Sequence, residues 1–141
     1  LIVVAAIDGS DHSPPVVEHA VDMARLLGAD LHILHVVHLT GFYYSALASA
    51  LIDEDELEAK LLDAVWERVA DSLTKVDDVE ITRVGRSGYA GDTITDYADE
   101  VDARLIVIGS KGWGALKSAF LGSTSQRVLH NTSRDVLVVS G

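Results

Sequence analysis

Cysteine is absent from this chain of 141 residues. No disulfide framework, thiol nucleophile or thiolate metal site can therefore be built from it. Basic residues are scarce as well: 11 Lys and Arg stand against 22 Asp and Glu, for a formal net charge of −11. Nucleic-acid binding depends first on neutralising phosphates, so this balance argues against a nucleic-acid partner. No apolar run approaches the roughly 18 residues that a membrane-crossing helix needs, and no membrane span is expected. No basic signal-peptide stretch precedes the first apolar run, and the expected compartment is cytoplasmic. The chain opens on Leu1 and not on Met, so natural sequence ahead of it is expected. What is plentiful is apolar: 48% hydrophobic residues and a mean hydropathy of +0.23 suit one folded domain spanning 1–141. The acidic side chains are mostly Asp, and Arg outnumbers Lys. A halophilic host would account for this, but a plain soluble acidic surface is the simpler reading.

The apolar residues alternate between two periods. Leu1 to Ile7 is a continuous run of the kind that forms a buried parallel strand, and Asp8-Gly9-Ser10-Asp11 ends it. Ser13 before Pro14 marks a helix start, Val16, Val17, Ala20, Val21, Ala24 and Leu27 recur at helical spacing, and Gly28 ends the helix. Leu31 to Val37 is a second strand, which completes a right-handed βαβ unit. Residues 38–52, with the aromatic Phe42-Tyr43-Tyr44, read best as a loop folded onto the core; a lid and a partner surface are the alternatives. A long helix is expected from Asp53 to about Lys75, acidic at its start where the helix dipole favours it. Next come a strand at Val79–Val84, a glycine-rich connection from Gly85 to Gly91 and a helix at Asp92–Val101. A strand at Leu105–Ile108, a helix at Thr124–His130 and a strand at Val136–Val139 close the chain. Strands alternating with helices in this way predict an α/β, doubly wound, Rossmann-like domain with five parallel strands and four helices.

One stretch carries chemistry. Gly109-Ser110-Lys111-Gly112 follows the fourth strand, and nine residues later come Gly122-Ser123. Glycines at the end of such a strand admit positive φ and let backbone approach a ligand closely. Ser123, with Gln126 after it, reads as a capping box opening the last helix. A helix N-terminus presents unpaired N–H groups and partial positive charge, so two backbone cradles around one loop point to a phosphate-bearing ligand. The spacing is not that of the P-loop, because Ala115 follows Gly114 where Lys is required, nor the dinucleotide fingerprint, because Lys117 stands where its third glycine belongs.

The pattern G-x2-G-x9-G-S does resemble the ATP-binding signature of the universal stress protein family. The resemblance covers nearly the whole chain: Val4 to Ser10 is similar to the family's opening strand and Asp-Gly-Ser turn, Leu34 to Val37 to its second strand, Leu105 to Ser110 to its fourth, and Val136 to Val139 to its closing strand. It implies a strand order of 3-2-1-4-5, which the sequence alone does not supply. It also implies that Asp8 and the backbone of Val36 meet the adenine end of ATP, that Gly109 lies by the ribose, and that Gly112, Gly122, Ser123 and Thr124 hold the phosphates. Ala6, Ile7 and Ile108 beside them, and Lys111 in the loop, complete the expected nucleotide-binding set; a solvated charge is the plainer account of Lys111 and of Lys117. A divalent ion, Mg2+, is expected only through bound ATP. The chain departs from the family at Ala6, where Pro is usual, at Arg104, where an acidic residue is usual, and at Trp113, which is bulky for that loop.

Plainer accounts stand beside these. Asp8 alone reads as the cap of its own turn, and Ser123 as a helix cap. His32, His35 and His38 recur every three residues, but His35 faces away from the other two in a strand. His32 and His38 are about 20 Å apart along it at roughly 3.3 Å per residue, so no metal site is expected. No Ser, His and Asp grouping and no carboxylate pair accompanies the glycine elements, so no catalytic residue is assigned. The favoured function is an ATP-binding stress-response or regulatory protein in which occupancy controls conformation or partner choice, with slow or no hydrolysis. The alternative is an ATP-consuming enzyme of the ATP-pyrophosphatase kind, adenylating a substrate. Those enzymes carry Ser-Gly-Gly-x-Asp-Ser after the first strand, where this chain has Asp8-Gly9-Ser10-Asp11-His12-Ser13. A structural dimer with an empty site ranks third. ATP or another adenine nucleotide is the expected ligand, and a homodimer through the apolar Val136–Val139 strand the expected assembly.

Overall fold

A computed structural model describes residues 1–38, 45, 48–49, 53–111 and 121–140. The expected loop residues Gly112, Trp113 and Lys117, and most of the 38–52 segment, lie outside them. The strands are β1 (Ile2–Ile7), β2 (Asp30–Val37), β3 (Ile81–Ser87), β4 (Leu105–Gly109) and β5 (Asp135–Val139). They form one sheet of order β3-β2-β1-β4-β5, and every pairing is parallel. Among the described residues the helices are α1 (Ser13–Leu27), α2 (Glu54–Leu73), α3 (Ala90–Glu100) and α4 (Ser123–Asn131). The α/β doubly wound architecture and its strand order are therefore as expected.

Period-two alternation within β1 builds a core on each face of the sheet. Val3, Ala5 and Ile7 face α1 and α2, where they meet Val17, Ala20, Val65 and Val69. Val4 and Ala6 face α3 and α4, where Ile94, Ala98 and Val128 complete a second cluster. With both faces covered, the central strands have no solvated side, which is why they read as unbroken apolar runs. Gly28 takes the left-handed conformation at the end of α1, φ 60° and ψ 41°, as its sequence position suggested. Asp53 caps α2 by accepting from the Glu56 N–H.

Several boundaries move. The third strand is Ile81–Ser87, not Val79–Val84, and it takes in part of the expected glycine-rich connection. Pairing decides this: β2 and β3 align from Leu31↔Ile81 to Val37↔Ser87. Gly85 sits inside the strand because Leu62 of α2 lies over it; a Cβ there would come within 2.6 Å of Leu62 Cδ1. Helix α3 begins at Ala90, before the expected Asp92, with Tyr89 at its N-cap. Helix α1 does start at Ser13 as expected; His12 sits at its N-cap with no side-chain cap bond formed, and the Ser13 hydroxyl is engaged elsewhere. The capping box at α4 is likewise not formed. Gly122 is the N-cap, Ser123 is the first helical residue, and the Gln126 side-chain amide donates to the Leu121 carbonyl at 2.7 Å. Arg104, the departure from the family pattern ahead of β4, forms an ion pair with Asp135 at the start of β5.

Candidate functional site

Where β1 and β4 run side by side, the connections that follow them leave to opposite faces: β1 leads to α1, β4 to α4. Ala6 is paired with both Leu34 and Ile108, so the residues just beyond these strands border one crevice at the carboxyl edge of the sheet. In open α/β sheets this switch point is where ligands bind.

On the β1 side, Asp8 is committed to its own turn. Its Oδ1 accepts from the Ser10 N–H at 2.9 Å, the Ser10 hydroxyl at 2.6 Å and the Ser13 hydroxyl at 3.2 Å. The Ser13 hydroxyl also accepts from the Gly9 N–H at 3.0 Å. Gly9 has φ 81°, a conformation that costs a residue with a side chain about 1–2 kcal/mol. The turn-capping role of Asp8 is thus present, and it holds the carboxylate in a set orientation. His35 of β2 donates from Nδ1 to the Ile7 carbonyl at 2.8 Å and so steadies the end of β1. The ion pair from Arg68 to Asp11, 2.6 Å, ties the same loop to α2.

On the β4 side, Gly109 does not need positive φ; the glycines that do are Gly9, Gly28 and Gly88 among those described. Close approach favours glycine at 109, since a Cβ would stand a tight 3.2 Å from the Lys111 carbonyl oxygen and 3.3 Å from Val16 Cγ2. Ser125, buried in α4, donates from Oγ to the Gly109 carbonyl at 2.5 Å. The Gly122 N–H donates to the Ser110 carbonyl at 2.9 Å, which brings the two ends of the connecting loop together. Ser110 is held in turn by donating its N–H to Val139 of β5 at 2.9 Å.

Gly122 has a different character. Its φ of −62° and ψ of 158° suit any residue, and among the described residues a Cβ would meet only the Ser110 carbonyl oxygen at 3.6 Å, an ordinary contact. The first turns of α2 and α3 carry Glu54, Asp55, Glu56 and Asp92, whereas those of α1 and α4 carry no acidic residue, and of these two only α4 follows the glycine loop. In a chain of net charge −11, the positive end of that helix dipole is left without a carboxylate.

Of the expected nucleotide-binding residues, Ala6, Ile7 and Ile108 are buried at the ends of β1 and β4, and Val36 is half-buried near the end of β2. Asp8, Gly109, Lys111 and Gly122 are half-buried around the crevice, and Ser123 and Thr124 are exposed at the start of α4. Gly112 lies outside the described residues. The sequence reading took Ser13 only as a helix start, weighed His35 only for a metal site and did not name Ser125, yet all three frame the site. Ser and His are common surface residues, and no local spacing marks those that will face a neighbouring strand or loop.

The universal stress protein family model matches residues 2–140. The universal stress protein YxiE of Bacillus subtilis is 33% identical over 95% of this chain and 95% of its own length. Among solved structures, the universal stress protein UspA from Lactobacillus plantarum is 26% identical, covering 98% of this chain and 96% of that one, with a TM-score of 0.76. A universal stress protein solved in complex with cAMP is 27% identical, covering 99% of this chain and 95% of that one, with a TM-score of 0.67. Switch point, glycine spacing and likeness over nearly the whole length agree, and this chain belongs to the universal stress protein family.

Proposed function

We propose that this chain binds an adenine nucleotide, ATP foremost, in the crevice between the Asp8 turn and the N-terminus of α4, and that occupancy controls its conformation or its choice of partner. The observation that carries the reading is Gly122. Nothing described in the fold demands glycine there, yet it caps the one helix that follows the glycine loop, and that helix's first turn holds no acid. Space and positive potential at a helix N-terminus are what a phosphate needs. The relative solved with cAMP supports an adenine nucleotide as the class of ligand. In this reading Ala6, Ile7, Asp8, Val36 and Ile108 line the base end, and Gly109 lies by the ribose. Lys111, Gly112, Gly122, Ser123 and Thr124 surround the phosphates, and Mg2+ enters only as the ion that ATP carries. Asp8 is occupied by its own turn at the base end, and the residues this reading sets around the phosphates include no carboxylate or histidine to act as a general base, which favours slow or absent hydrolysis.

Calorimetry with ATP tests this. Wild type should bind, and Gly122→Val should lose binding at least a hundredfold while unfolding at the same urea concentration. Unchanged affinity in the folded variant would remove the phosphates from α4. Phosphate release from ATP faster than about 1 per second, the low end of ordinary enzymes, would favour the adenylating-enzyme reading.

The same reading includes a homodimer through β5. This strand lies at the sheet edge, with Val136, Leu137 and Val138 half-buried in the monomer, and an unpaired edge invites a second strand. Sedimentation at high salt should find a dimer, and Val138→Pro, which removes a ladder donor, should give a folded monomer. A wild type that stays monomeric at tens of micromolar would count against it.

A further inference from the structure

Two aromatic rings stand together at the carboxyl edge of the sheet, outside the nucleotide set assigned above. Tyr89 is one of the few large apolar side chains left in solvent, with 73% of its surface exposed. Its ring centroid lies 5.3 Å from that of His38, with the planes tilted by 47°. Their backbone is tightly held. The Gly88 N–H donates to the Val37 carbonyl at 3.0 Å, which continues the β2–β3 ladder one step past its last pair. His38 Nδ1 donates to the Gly88 carbonyl at 3.3 Å. Gly88 has φ 143°, and a Cβ on it would strike Thr93 Oγ1 at 2.7 Å. Glycine is therefore obligatory at 88, and the turn aims Tyr89 as the N-cap of α3, where its carbonyl accepts from the Thr93 N–H at 2.9 Å.

The place matters as much as the rigidity. His38, just past the end of β2, is two residues beyond Val36, and β2 lies between β1, which ends at Ile7 just before Asp8, and β3, which leads to Tyr89. Asp8 is level with Val36 and Arg86 in the strand registers, so Tyr89 follows two strand steps across and three residues further along the chain, where it leaves the sheet through Gly88. The rings thus border the crevice from the β2–β3 side, two residues past Val36 at the base end of the reading above, while α3, which Tyr89 caps, packs its start against α4: a Cβ on Gly91 would fall 2.5 Å from Arg127 Cγ and 3.7 Å from the Thr124 carbonyl oxygen. An exposed aromatic face fixed by its neighbours is a low-entropy platform for a flat heterocycle.

We propose that Tyr89, backed by His38, is the wall on which the nucleotide's base stacks. This rests on the nucleotide reading above and extends it to residues not in that set. Since every base has a π-face, the wall adds affinity in proportion to overlap and so favours purines over pyrimidines. Because the Tyr89 ring is exposed and its contribution to the α3 cap is backbone, truncating it should leave folding intact.

Calorimetry with ATP on wild type, Tyr89→Ala and Tyr89→Phe decides it, together with nuclear Overhauser spectra of the bound base. The alanine variant should bind ATP about tenfold more weakly, with an unchanged unfolding midpoint, and the phenylalanine variant should match wild type. Transfer from tyrosine ring protons to adenine H2 or H8 should be seen in wild type and vanish in Tyr89→Ala. Equal ATP affinity in Tyr89→Ala and wild type, or transfer that survives the substitution, would overturn the stacking wall while leaving the nucleotide site standing. A wild type that binds no ATP would overturn both.

Discussion

The two glycine turns that flank the crevice look alike in sequence and differ in what they do. At the β1 turn the fold accounts for every polar group named: Asp8 gathers Ser10 and Ser13, and Gly9 adopts a φ of 81° that a side chain would oppose. At the β4 turn the fold accounts for Gly109, through close contact with Val16 and Lys111, but among the described residues nothing calls for glycine at 122. A glycine that the described fold does not require, at a helix start that carries no acid, is what the proposed phosphate contact rests on. Glycine content alone does not separate a turn built for itself from one built for a partner.

Substitutions can break or sharpen this contrast. The largest effect is expected at Asp8. Asp8→Ala removes one acceptor from three donors in a half-buried turn, and hydrogen bonds to charged groups contribute about 1.5–3 kcal/mol each before water replaces part of them. A loss on the order of 3 kcal/mol in urea-unfolding stability is expected. A loss under about 0.5 kcal/mol would show that the β1 turn is not self-sustaining.

A smaller pair of changes sets the two glycines directly against each other. Gly9→Ala should lower stability by about 1–2 kcal/mol through its positive φ. Gly122→Ala should lie within about 0.5 kcal/mol of wild type, as substitutions without a structural mechanism do, yet weaken ATP binding about tenfold by crowding the phosphates. Chemical denaturation and ATP titration on the same samples check both. Equal stability losses at the two positions would erase the contrast.

The smallest effect concerns how α4 is held. Arg127 of α4 donates to both carboxylate oxygens of Asp92 on α3, at 2.9 and 3.4 Å, and Gly91 lets the helices close, since a Cβ there would fall 2.5 Å from Arg127 Cγ. The hydrogen bond from Arg127 lowers the Asp92 pKa, with burial opposing it and the Arg127 charge assisting. A carboxyl lowered on folding contributes stability that is full above its unfolded value and lost as pH falls through its folded one. The pair is exposed, so the gain is slight and salt-sensitive. Asp92→Asn should therefore lower the urea midpoint slightly at neutral pH and low salt. That difference should shrink below the carboxylate range; one that persists there would assign it to packing.

Much of this architecture was legible locally. The apolar runs at β1, β2 and β4, the helical spacing in α1, the Gly28 stop and the start of α2 each depend on residues a few positions apart, and each formed where the sequence placed it to within a residue or two. The glycine spacing after β4 was also readable, because a motif is a local pattern. The errors fell where a distant partner decides. The third strand runs through Gly85 because β2 pairs with it and Leu62 covers it; the capping box is the exception, failing locally because the adjacent Gly122 took the cap. The residues framing the site were also decided at a distance: Ser125 reaches Gly109 across sixteen positions, His35 reaches Ile7 across twenty-eight, and His38 meets Tyr89 only because β2 and β3 are neighbours. Short-range sterics and periodicity thus determined the elements and the glycine signature. The strand order, which the sequence left to a family resemblance, decided which side chains share the crevice, because parallel strands are joined through helices and their neighbours in space are remote in the chain.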